Sequence, residues 1–137
     1  MTQLLPPLAI TAALSLAAVG GPLVLNAAPR NMTIEAQFTA GTGGATVDAY
    51  VQTSFDGGLS WADVCNFHLT TSNATLLFNL CSSTPVTTQR TPTNGSIAAN
   101  TCVDGALGPR FQVQVKSSGT YVGASLRIDV ATDQLPG

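Results

Sequence analysis

Charge is scarce in this chain. Of 137 residues, 9% are Asp, Glu, Lys or Arg, where an ordinary soluble domain carries about 25%. Lys116 is the single lysine, four arginines complete the cations, and the net charge is -2. No basic patch exists to neutralise phosphates, so nucleic acid is not expected as a direct partner. One histidine, His68, and one glutamate, Glu35, are present; general acid–base chemistry and most zinc sites lack the parts they need. No catalytic residue, metal or cofactor is assigned, and an enzyme is not expected. A long unbroken apolar run is missing too. Leu4 to Leu25 comes nearest, but Pro6, Pro7 and Pro22 interrupt it and Thr11, Ser15, Gly20 and Gly21 dilute it, short of the roughly 20 apolar residues of a membrane span. No Lys or Arg stands before Arg30, so the positive region of a secretory leader is absent. Residues 1–20 are therefore read as a retained N-terminal arm or first strand, and no membrane partner is expected.

What the chain does have is alternation. Hydrophobic residues make up 45% of it, and many recur with period two, the signature of strands buried on one face. Phe111, Val113 and Val115 alternate with Gln112, Gln114 and Lys116; Val122, Ala124, Leu126, Ile128 and Val130 alternate with Gly123, Ser125, Arg127 and Asp129. Ser117-Ser118-Gly119-Thr120 lies between them, and these two strands are expected to pair as a hairpin. Met32, Ile34, Ala36 and Phe38 repeat the pattern before the turn Gly41 to Gly44, and Val47, Ala49 and Val51 repeat it after. A further hairpin turns at Asp56-Gly57-Gly58 and returns from Ser60 to about Leu69. Shorter strands are expected at Leu23 to Asn26 and Thr75 to Leu80. Leu8 to Ala18 reads as extended, with two helical turns over Thr11 to Val19 as the alternative. Periodicity vanishes from Cys81 to Gly108, where Ser, Thr, Pro, Asn and Gly dominate; a loop this long is functional, wrapped on a neighbour, or a solvated excursion. The fold class that follows is all-β: an antiparallel β-sandwich or jelly roll of about 7–8 strands spanning 21–137, with an extended N-terminal arm and one long loop at 81–108.

Ser54-Phe55-Asp56-Gly57-Gly58-Leu59-Ser60-Trp61 fits the pattern S-x-D-x-G-x-[ST]-W. It resembles the Asp-box, a structural hairpin motif repeated on sialidase blades. Ser54, Asp56, Gly57, Gly58, Ser60 and Trp61 are accordingly structural: the Asp accepts bonds from turn N–H groups, the glycines supply positive φ and the Trp covers the hairpin base. Asp48, Asp56 and Asp63 fit no calcium-loop spacing and read as solvated or turn-capping residues. Cys65 and His68, three apart on a strand, point to opposite faces and make no dyad. Cys81 and Cys102 flank the long loop and are the candidate disulfide, with Cys65 left as a buried thiol; three free thiols are nonetheless the expected state. The sequons at Asn31, Asn73 and Asn94 are ascribed to the abundance of Asn and Thr.

Val47 to Trp61, Asp104-Gly105-Ala106-Leu107-Gly108, Arg110 to Val115 and Gly119-Thr120-Tyr121 together resemble small virion proteins of tailed bacteriophages and prophages, of the head-decoration or head–tail and neck type. The resemblance implies a non-catalytic β-sandwich assembled in the bacterial cytoplasm and resident in the virion. It also implies that its partners are a major capsid protein, or neck and tail neighbours, and copies of itself. The leading expectation is a capsid decoration or cement subunit on the outer head lattice, which the negative net charge favours over the DNA-facing lumen. A neck or tail connector or tube protein is the alternative. A carbohydrate-binding or adhesion module is a second alternative, with Trp61, Tyr50 and Tyr121 stacking on sugars and Asp48 or Asn66 bonding hydroxyls. Leu4, Leu5, Leu8 and Ile10 on the arm are the interface candidates, because one small domain has little reason to expose them.

Overall fold

In a computed structural model, which describes residues 2–83 and 85–137, the alternating segments become ten strands and no helix forms among the described residues. In chain order they are β1 (Thr2–Ile10), β2 (Ala17–Val24), β3 (Asn31–Thr39), β4 (Thr42–Gly43), β5 (Thr46–Ser54), β6 (Ala62–Leu69), β7 (Ala74–Cys81), β8 (Arg110–Ser118), β9 (Tyr121–Val122) and β10 (Ala124–Thr132). Two four-stranded antiparallel sheets, ordered β1-β10-β3-β7 and β2-β8-β5-β6, form a β-sandwich, and β4 pairs with β9 at one end.

The alternation identifies the buried faces. Met32, Ile34, Ala36 and Phe38 of β3 and Ala124, Leu126, Ile128 and Val130 of β10 line one wall of the core; Val47, Ala49 and Val51 of β5 and Phe111, Val113 and Val115 of β8 line the other. Between β3 and β10 the register sets Phe38 beside Leu126 and Ile34 beside Val130. On the outer face of that sheet Arg127 lies 2.9 Å from Asp129 and donates to Gln37, which donates to Glu35.

The expected β8–β10 hairpin does not form: β8 belongs to one sheet and β10 to the other. The residues between them carry the chain across the core instead, with Gly119 and Gly123 at φ 80° and 74°. The corner between β3 and β5 makes the same crossing, and the two corners meet as β4 and β9, with Thr42 beside Val122 and Gly43 beside Tyr121. Crossing sets the apolar faces of β8 and β10 opposite one another, so each covers the other, whereas a hairpin would have left both on one wall. Tyr121 closes this end of the core. Its ring stands edge-on to Phe38 at 6.0 Å and its hydroxyl donates to the Thr70 carbonyl at 2.6 Å. Gly44 permits that packing, since a Cβ there would lie 2.2 Å from the Tyr121 ring.

The N-terminal segment is not an exposed arm. Leu4, Leu5 and Ile10 are at most 2% exposed, and Leu8 packs against the core from a half-buried position. They are therefore core residues and not interface candidates. Pairing explains why: β1 is the edge strand beside β10, with Leu5 beside Ile128, Leu8 beside Leu126 and Ile10 beside Ala124. Pro6 and Pro7 fall where the register shifts between Leu5 and Leu8, a place where an edge strand tolerates residues without an N–H. The chain then crosses and β2 joins the edge of the second sheet beside β8, so the first 24 residues give each sheet one edge.

Candidate functional site

The β5–β6 hairpin forms as the Asp-box resemblance implies. Ser54 Oγ donates to Asp56 Oδ1 at 2.8 Å and accepts from the Gly58 N–H at 2.9 Å; Asp56 Oδ1 accepts from the Ser60 N–H at 2.9 Å and Oδ2 from the Ser60 hydroxyl at 2.5 Å. Bonds from the Ser60 hydroxyl and N–H, joined by that from Ser54, hold the Asp56 carboxyl down at about 2. Gly57 and Gly58 take φ 74° and 94°. Trp61 packs over the turn, its ring 3.6 Å from where a Gly58 Cβ would sit. Phe55 and Leu59 project from the tip and are 62% and 89% exposed.

Beyond β7, residues 85–109 fold back over the second sheet, and one carboxylate organises their course. Asp63 Oδ1 accepts from Gln52 Nε2 and the Gly95 N–H, both at 2.8 Å. Its Oδ2 accepts from the Thr93 hydroxyl at 2.8 Å and from the Ser96 and Ile97 N–H groups at 2.9 and 3.1 Å. Burial pushes the Asp63 carboxyl up, but the bonds from Gln52, Gly95, Ser96 and Thr93 outweigh it and hold the group below the usual carboxylate range. Gln52 in turn donates to Asn94 at 2.8 Å and accepts from Gln112 at 2.8 Å, so a buried polar network runs beneath the loop. Asp63 is thus a loop anchor rather than the solvated or turn-capping residue expected. The loop's return is docked as tightly: the Gly108 N–H donates to Thr53 Oγ1 at 2.8 Å, and a Cβ on Gly108 would lie 2.2 Å from the Ser54 carbonyl oxygen.

Between hairpin and loop lies a groove of about 530 Å³, walled by Phe55, Trp61, Val86, Pro92, Ile97, Val103 and Ala106, with Arg90 and Thr91 among its polar groups. Asp63 also borders it, but five donors already occupy that carboxylate, which leaves it ill suited to act as a base. The groove offers contact area and one cation, the equipment of a binding surface.

The other sequence candidates are scattered. Asp48 Oδ1 lies 2.7 Å from His68 Nδ1, Asp56 is in the hairpin turn and Asp63 is under the loop. Among the described residues no group of three His, Cys, Asp or Glu side chains is placed to hold a metal ion. Cys65 faces the core and the His68 ring the opposite face, while the His68 backbone N–H donates to Asn100 Oδ1 at 3.1 Å. Tyr50 and Tyr121 are 3% and 1% exposed, so they form no aromatic platform with Trp61. Cys65, Cys81 and Cys102 are all free thiols, and Cys102 is registered against Cys65 rather than bridged to Cys81. Sequence reasoning missed the Asp63 anchor and the groove. The available signal was an Asp inside a strand otherwise buried on both sides, beside a loop supplying the N–H groups of Gly95, Ser96 and Ile97. Comparison of the chain with protein-family models, curated proteins and solved structures found no match.

Proposed function

We propose that this chain is a non-catalytic structural protein of a phage virion, a decoration subunit that binds the outer capsid lattice. The observation that carries the reading is the apolar contact surface at the hairpin end of the sandwich. There the exposed Phe55, Leu59 and Val86 stand beside the Trp61-lined groove. Scattered single apolar residues are ordinary on a protein surface, but exposed Phe55 and Val86 on one concave wall with Trp61 mark a contact with another macromolecule. The chain's low charge and net charge of -2 support a protein partner over nucleic acid. The groove's one arginine and its occupied carboxylate support binding over chemistry. Adding the purified chain to heads that lack it and sedimenting the mixture tests the reading. Saturable binding at a ratio set by the lattice is expected, lost in a folded Phe55→Ser, Leu59→Ser double variant. Failure of the native chain to bind heads would overturn it.

A further inference from the structure

We propose that Cys65 and Cys102 form a redox clasp: a disulfide between them ties the long loop to the free edge of the second sheet. The loop touches that edge as a short antiparallel bridge in which Cys65 and Cys102 are direct partners. The Asn66 N–H donates to the Thr101 carbonyl at 3.0 Å and the Val103 N–H to the Val64 carbonyl at 2.7 Å. With the bonds on the flanking residues, the cysteines occupy the narrow, non-hydrogen-bonded site, where Cα atoms stand about 4.5 Å apart and side chains share a face. That separation falls within the roughly 4.4–6.8 Å that a disulfide spans. Cys81 has no such register. Its backbone is held further along the loop, its N–H donating to Asp104 Oδ1 at 2.6 Å and its carbonyl accepting from Gly105 at 3.1 Å, while its thiol contacts Ser83 Oγ at 2.7 Å.

Accessibility sets the order of events. Cys65 is 0% exposed and Cys102 is exposed, so a small disulfide such as oxidised glutathione meets Cys102 first. The Cys102 thiolate attacks one glutathione sulfur, the glutathione S–S bond breaks and one glutathione leaves as thiol. Cys65 then gives its proton to solvent and attacks the Cys102 sulfur, expelling the second glutathione. Two protein thiols are oxidised and one glutathione disulfide is reduced to two thiols. Burial raises both protein thiols, Cys65 well above the usual range, so closure accelerates as pH rises.

The test equilibrates the full chain, without denaturant, in oxidised and reduced glutathione, alkylates remaining thiols and maps linked peptides by non-reducing mass spectrometry. A Cys65–Cys102 peptide pair lighter by two hydrogens is expected. It should be retained in Cys81→Ser and absent from Cys102→Ser, whose exposed site leaves the fold undisturbed. Three alkylated cysteines at equilibrium, a lasting glutathione adduct on Cys102, or a link to Cys81 would each overturn the proposal.

Discussion

Replacing Asp63 by Asn keeps the side chain's shape and removes its charge, and so isolates the hydrogen bonds that hold the loop. One amide oxygen cannot serve both sets of donors. If it faces the Thr93, Ser96 and Ile97 side, the NH₂ group confronts Gln52 Nε2 and the Gly95 N–H, both within buried contacts. Gln52 cannot simply turn its amide, because its Oε1 already accepts from Gln112. Two buried donors left without acceptors cost about 1–3 kcal/mol each, and water admitted at the loop surface relieves part of this, so a loss of roughly 2–5 kcal/mol is expected. The assay is urea denaturation at neutral pH, with amide exchange read at Gly95, Ser96 and Ile97. Exchange should accelerate at these three before global unfolding. Unchanged stability with protected amides would refute the anchoring role. The carboxyl is held below its usual range. Its contribution is therefore complete above the unfolded pKa of about 3.9 and is lost as pH falls through the lower folded value.

Three further outcomes follow from the packing. Leu126→Ala, at a 0% exposed site, should cost about 2–5 kcal/mol in denaturation; a loss of about 0.5 kcal/mol or less, the size expected of a surface substitution, would mean that the wrong face was assigned to the core. Asp56, held at about 2, should titrate by NMR far below an unfolded carboxylate; Asp56→Asn should lower the melting temperature at pH 7 and lose that effect as pH falls toward 2. Deleting residues 2–10 should abolish cooperative folding by circular dichroism, since it strips Leu4, Leu5 and Ile10 from the core; a folded truncated chain would restore the exposed-arm reading.

Period-two alternation identified which face β3, β5, β8 and β10 bury, because that face is a local property of the residues. It could not identify the sheet a strand joins. Phe111 to Val115 and Ala124 to Val130 carry the same pattern whether they pair side by side or face each other across a core, and the choice rests on the β4–β9 corner contact, made by residues 42–43 and 121–122. The Asp-box hairpin was legible since its donors and acceptors lie within seven residues of one another. Asp63 was not, because Gln52 stands 11 residues away on another strand and the other partners 30 to 34 residues away in a segment with no periodicity. The apolar arm misled for a related reason: Leu4, Leu5 and Ile10 look surplus until β10 is seen to pair with them.

The central claim, that the chain is a decoration subunit of a virion, is tested most directly by locating and counting it in native particles by cryo-electron microscopy, with quantitative mass spectrometry of the same preparation. The account predicts density for the sandwich on the outer head surface, its Phe55–Leu59 hairpin end against the lattice, in a copy number fixed by head symmetry. Absence from the particle, or confinement to the neck or tail, would contradict it.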